Sequence, residues 1–317
     1  MQPEPRHSAS SSARGRTGPL RNARDLQGLA YLVALPALVA WQWTHGLAWP
    51  LYALELFLAI GIGVIHHNHA HLPIWHSRAF NRATDLAITV LQGHPTFVFH
   101  PAHVGNHHRH RHGERDVART WRFGGDHNDL CGWLLHPLQA IGVIYPLLIG
   151  WLARLRLRSP GAFRWCVTQY ALWLGSWAAL LALDPLKASV FVIGPQLFGL
   201  HWLLGANYLQ HAHADGRSRL NYARNFEGAV NPLLFNIGLH TAHHEHPRAH
   251  WSQLPALHRR YRAQIDARLV ERSFFLYAWR VFVGGTLFRR WRSQTLMPAV
   301  PAAAPHHRSR ITDANPL

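Results

Sequence analysis

Apolar positions along the chain gather in long unbroken runs, at about 29–45, 47–65, 130–152, 164–183 and 187–208, with weaker runs near 85–99 and 275–288. A helix that is hydrophobic all round is buried or faces lipid. About 20 residues, at ~1.5 Å of rise each, cross the hydrocarbon of a bilayer. The pattern predicts an all-α polytopic membrane protein. The uncharged HGLAWP turn at 45–50 joins the first two runs into one hairpin, and DPLK at 184–187 joins the last two into another.

Charge orients these hairpins. Arg6, Arg14, Arg16, Arg21 and Arg24 place the N-terminus in the cytoplasm, because basic residues are retained on that side. Arg154, Arg156, Arg158 and Arg164 make the 153–164 loop cytoplasmic too. The run at 130–152 then begins and ends on one side, so it is expected to be interfacial or re-entrant. That leaves about four transmembrane helices in two hairpins, with a cytosolic helical cap. Residues 1–28, rich in Ser, Arg, Gly and Pro, read as a disordered basic tail, 29–290 as an integral membrane domain and 291–317 as a second disordered tail. The expected location is the inner (cytoplasmic) membrane, multi-pass, with the active site on the cytoplasmic side.

Composition agrees with an embedded unit carrying polar caps: 48% of residues are apolar, 15% are charged and 14 are Trp. The formal charge of +17 comes with no nucleic-acid-binding motif, so anionic membrane lipids, not nucleic acid, are the expected counter-charge. The only cysteines are Cys131 and Cys166, too few for a disulfide framework or a four-thiolate cluster. Any metal has to be held by nitrogen and oxygen.

Histidine changes the picture most. The chain has 27, and most lie in groups at 66–76, 100–112, 207–213 and 240–247. Crowded imidazoles repel once protonated and add little to a packed core, so their clustering implies that something binds their lone pairs, as a metal does. His67 and His71 stand four apart directly after an apolar run. His103 and His107 repeat that spacing, with His108 about 100° further round a helix. His240, His243 and His244 share one helical face, and Asn207 and His211 are four apart at the end of the last run. Eight or nine imidazoles exceed the four ligands of zinc and suit two six-coordinate irons with positions left for oxygen species.

The register of the first group is open, since His66 with His71 and His71 with His76 are further pairings; His67 with His71 needs no helix distortion. His45, His127, His136, His201 and His258 read as packed or solvated. The carboxylates Glu114, Asp116, Asp215, Glu227 and Glu245 read first as solvated or salt-bridged, with Glu245 and Asp215 kept as candidates for orienting a ligand imidazole. Glu55, inside an apolar run, implies a polar cavity or a shelter such as Tyr52 or Trp49.

The motifs HNHAH (67–71), HVGNHH (103–108) and HTAHH (240–244) resemble, in order and spacing, the three histidine boxes of the membrane fatty acid desaturase/hydroxylase superfamily. HLPIWHSRAFNRATDL, HHRHRHGERD and HHEHPRAHWSQLPALHRRYR are similar to the segments that follow those boxes, and the likeness covers about 45–265. His66, His69, His76, His110, His112, His213 and His246 are surplus to the pattern. The resemblance implies two Fe ions ligated by His67, His71, His103, His107, His108, His240, His243 and His244. It implies His211 as a ninth ligand, with Asn207 contacting it through water.

The implied activity is fatty acid desaturation, an O2-dependent di-iron oxidoreductase reaction in which O2 is the co-substrate. A lipid acyl chain or acyl-CoA would lie in an apolar tunnel between the spans, and Arg109, Arg111, Arg217 and Arg219 are candidates for its anionic headgroup. The chain has no HPGG haem signature, no GxGxxG and too few cysteines for a ferredoxin. Electrons are therefore expected from an external ferredoxin or cytochrome b5 with its reductase, drawn to the basic face. A hydroxylase or ketolase of the same superfamily, acting on an acyl chain, alkane or carotenoid, would use the same ligands. From another class, a histidine-rich metal transporter would place polar residues along the spans, where Glu55 stands out alone. A noncatalytic metal-binding membrane protein would be expected to have lost box positions, and all are filled.

Overall fold

The computed structural model of the protein describes residues 18–123 and 126–297. In chain order its main helices are α1 (Leu26–His45), α2 (Trp49–His71), α3 (Arg78–Gln92), α4 (Leu130–Arg158), α5 (Pro160–Leu183), α6 (Pro185–His211), α7 (His240–Glu245), α8 (Leu254–Tyr261) and α9 (Phe274–Leu287). Among the described residues, five helices, α1, α2, α4, α5 and α6, are long and apolar enough to cross a membrane. Two-residue strands at Asn225–Phe226 and Val270–Glu271 pair in parallel.

Two antiparallel hairpins make the frame. In the first, the Tyr31 ring of α1 lies against Gly61 of α2, and the Gln42 side chain donates to Glu55. In the second, Trp177 of α5 donates to Gln196 of α6 at 2.7 Å. The hairpins join through α2 and α6, which run parallel: Tyr52 donates to the Val190 carbonyl, Gly199 sits on Ala59 and Gly63 on Leu203. At Gly199 the backbones come so close that a Cβ would stand 2.9 Å from the Ala59 carbonyl oxygen. Because α2 and α6 run the same way, His71 and His211 finish at the same end of the molecule.

Helix α4 crosses this frame. Near its start, His136 meets the Tyr208 ring at a tilt, three residues before α6 ends, with ring centres 4.8 Å apart. Twelve residues on, Leu148 packs with Cys166, six residues into α5, and with Phe97. His136 and Leu148, twelve residues apart on α4, therefore both lie toward the histidine-bearing end of the second hairpin. Its 29 residues also exceed what a bilayer core requires.

Helix α3 is short and amphipathic, capped at its start by the Ser77 hydroxyl and stopped by Gly93, whose φ of 68° is left-handed and whose missing Cβ leaves room for Gln196. It descends beside α6, since Gln196 donates to the Val90 carbonyl at 2.8 Å.

Three expectations are corrected here. Residues 18–28 are tied into the frame and not loose: Leu20 bridges Trp75, and Asp25 takes hydrogen bonds from His250 and Trp251. At the other end, Leu296 donates to the His213 carbonyl and Ser293 to Asn128, so order extends past 290. The remaining tail residues, 1–17 and 298–317, lie outside the described residues. Glu55 is sheltered by Gln42, both being fully buried, whereas Tyr52 bonds Val190 and Trp49 is exposed.

Candidate metal centre

The histidines converge where α2 and α6 end. They form two groups in each of which one ring nitrogen per residue lies within 4.8 Å of all the others: His67, His71, His103, His108 and His243, and His107, His211, His240 and His244. The first group is partly open and the second fully buried.

Local winding decides which histidine joins which group. The second box lies on a π-helix, His100–His107, running into a short α-turn, His108–His110. With i→i+5 hydrogen bonding the turn is wider than in an α-helix, so residues five apart share a face. His103 and His108 thus meet, with Nε2 atoms 3.1 Å apart, while His107 turns to the second group. The α-helical pairing of His103 with His107 is corrected accordingly. On α7, an ordinary α-helix, His240 and His244 are four apart and meet at 3.1 Å, while His243 points to the first group. Both boxes straddle both groups and hold them together. At the first box, His67 and His71 reach the common point. His66 instead bonds Gln92 and the Thr96 carbonyl, and His69 accepts from Ile74 N–H.

The geometry fits metal. The Nε2 pairs His108–His243, His211–His240 and His240–His244 are 3.0 to 3.1 Å apart. Metal–nitrogen bonds of ~2.0–2.1 Å put right-angled ligands about 3.0 Å apart and tetrahedral ligands about 3.4 Å apart. The spacing is therefore that of nitrogens able to share one cation. Nε2 of His67, His71 and His107 is buried with no hydrogen-bond partner, an arrangement that costs about 1–3 kcal/mol per group unless something uses the lone pair. Burial first, and the neighbouring imidazoles second, hold His103, His240, His243 and His244 well below the ordinary imidazole range. Neutral rings keep their lone pairs for a cation.

The rings are held from behind. Asp116, with no exposed surface, bonds Nδ1 of His107 at 2.7 Å and also takes N–H bonds from His112 and Ala118. His211 Nδ1 donates to the Tyr222 carbonyl at 2.7 Å. Burial works to raise the Asp116 carboxyl, but His107 and the Ala118 N–H overcome it and leave the group below the usual carboxylate range.

Asp116 is thus the carboxylate that orients a grouped imidazole, where Asp215 and Glu245 were expected. Asp215 instead caps its own turn through Arg217 N–H, and Glu245 binds Arg111 at 2.6 Å and the Tyr222 hydroxyl. Asn207 stands one turn before His211 and donates to the Ala118 carbonyl at 2.8 Å. Ala118 in turn donates to Asp116, so Asn207 buttresses His107 through the backbone. No sequence spacing marks Asp116 or Tyr222, because their contacts come from loops folded back over the helices.

A cavity of about 440 Å³ runs from His67, His107 and His240 down between α2, α4, α5 and α6 to Trp177 and Leu197. Most of its wall is apolar, as small-molecule sites are.

A family model described as Fatty acid desaturase matches residues 41–276. No curated protein and no solved structure matches the chain.

Proposed function

Since the chain belongs to the fatty acid desaturase family, we infer that it is an O2-dependent di-iron membrane oxidoreductase that introduces a double bond into a fatty acyl chain. The observation that carries this reading is the position of two converging histidine groups at the head of an apolar cavity. His67, His71, His103, His108 and His243 would hold one iron, and His107, His211, His240 and His244 the other. Bound there, the irons would activate O2, the oxidant that removing hydrogen from an unactivated methylene demands and no side chain replaces.

The chain's own residues do the rest. Asp116 fixes His107 with its proton on Nδ1, leaving Nε2 free to ligate, and the Tyr222 carbonyl does the same for His211. Asn207 holds the Ala118 strap that positions Asp116. The apolar walls around Val64, Leu200 and Leu203 exclude water and align the hydrocarbon. Electrons come from a separate ferredoxin or cytochrome b5 with its reductase, attracted to the basic face.

The topology that suits this reading has four spans in an inner membrane, α1, α2, α5 and α6, with the histidines toward the cytoplasm and α4 lying across that side. The contacts of His136 and Leu148 on α4 with one end of the second hairpin support it.

The test is gas chromatography–mass spectrometry of lipids from cells expressing the wild type or His243→Ala together with a ferredoxin and reductase, with iron measured on the purified proteins. New unsaturated chains with the wild type alone are expected. Hydroxylated or ketonic products would replace desaturation with hydroxylase or ketolase chemistry on the same ligands. A wild type carrying two irons per chain and giving no oxidised lipid would overturn the reading.

A further inference from the structure

The two histidine groups differ in how a cation can reach them. His107, His211, His240 and His244 are all buried, whereas His71, His103 and His108 of the first group are partly exposed. The large cavity offers an ion no approach. Among the described residues, no Lys, Arg, Asp or Glu side chain lines it, and a cation stripped of its water is strongly disfavoured where no polar wall replaces the shell.

A second, small cavity of about 20 Å³ borders the first group at His71 and His243 and touches no member of the second. A single water needs ~10–15 Å³ of such space, so water-sized particles occupy it one at a time. Asp25, Asn68 and His250 contribute to its wall, and Asp25 is its only carboxylate. Oδ1 of Asp25 accepts from His250 at 3.0 Å and from Trp251 at 3.3 Å, which leaves Oδ2 with no hydrogen bond. In a chain of formal charge +17, that oxygen attracts a cation which the basic surface around it repels. Asn68 and Ala249, both partly exposed, bring the cavity to the surface.

His71 borders both this cavity and the first group, and it is the last residue of α2. Each of the other eight grouped histidines has a ring nitrogen within 3.1 Å of a partner atom, and His71 has none. No hydrogen bond fixes its rotation, so its ring is the one free to swing aside and return.

We propose that the small cavity is the port through which metal is loaded: a divalent cation is drawn in by Asp25 and reaches the first group past His71. This rests on the metal-centre reading of the two groups but not on the reaction they perform. Asp25 acts on the rate of arrival and is not a ligand of the seated ion.

The experiment uses the full chain in detergent, stripped of metal by a chelator, with Co(II) as the probe because its absorption reports nitrogen ligation. Stopped-flow mixing gives the loading rate, transfer to a chelator gives the release rate, and a separate titration gives the equilibrium affinity. Asp25→Asn keeps an amide oxygen to accept from His250 and Trp251 and removes the charge. It is expected to slow loading about tenfold, the low end of electrostatic effects on capture, and to slow release by the same factor, with affinity unchanged. Ala249→Trp, which fills the rim, is expected to do the same without altering any charge. Leu197→Trp, at an exposed edge of the large cavity, should load as the wild type does.

Wild-type loading rates in both Asp25→Asn and Ala249→Trp would overturn the proposal, as would equal slowing by Leu197→Trp. A lower affinity in Asp25→Asn with an unchanged loading rate would also overturn it, making Asp25 a support for the fold of the site. A wild type that binds no Co(II) would overturn the metal-centre reading and the port with it, whereas normal binding with no effect of the port variants would remove the port alone.

Discussion

Asp116 shows how much a single side chain can contribute to a centre it does not touch. Its bond to Nδ1 sets which His107 nitrogen is free, and support of this kind is worth about 10–100-fold in metal affinity. Asp116→Asn is expected to lower iron retention at the His107 group by that order, with less effect on the His67 group. Titrating the purified protein with Fe(II) would read the two sites, and equal weakening of both would contradict the assignment. Tyr222→Phe is a milder companion: it keeps the carbonyl that holds His211 and removes only the hydroxyl bond to Glu245, so iron binding should be nearly unchanged. The grouped histidines were legible because identical imidazoles recur at helical spacing. Asp116 was not, because an acid nine residues from its imidazole carries no periodic signature.

Between elements, the tightest seam is α2 on α6. Gly199→Ala would drive a methyl into the Ala59 backbone, which cannot yield as a side chain can, and should cost about 1–3 kcal/mol, seen as a lower unfolding midpoint in detergent. Gly175→Ala on α5, with nothing within 4 Å, is the control and should be neutral or slightly stabilising; an equal drop in both would mean that helix packing is not the cause.

Helix α3 gives a pH dependence. Burial, opposed by the Thr96 hydroxyl and Arg82, pushes the Asp85 carboxyl up to about 6 from an ordinary 3.8. Between those values the folded protein keeps a proton that the unfolded chain has released, so this contribution is complete below the ordinary value and lost as pH rises through 6. Asp85→Asn should flatten the decline in stability across that window, and an unchanged profile would refute the assignment. The helices themselves were readable from apolar runs. The π-winding at 100–107 was not readable, since one extra residue per turn leaves the histidine string unchanged while redirecting His107 and His108.

For the whole molecule, the count of spans turns on α4. In a variant whose only cysteines are Cys131 and an introduced Arg158→Cys, a membrane-impermeant maleimide should label both positions from the cytoplasmic side; labelling from opposite sides would establish a fifth span. Removing metal should also loosen the fold globally, because the nine imidazoles come from four separate segments and a ligand that binds only the folded state stabilises it. A chelator is expected to lower the unfolding midpoint of the wild type and to leave His243→Ala less affected. From sequence alone came the membrane class, the hairpin pairs, the family resemblance and the histidine set, since each rests on composition or on periodicity along one helix. Tertiary structure alone decided the division of those histidines into two groups, the carboxylate behind them, the path of α4 and the uncharged cavity, because these depend on which distant segments are brought within a few ångströms, and linear spacing does not carry that information.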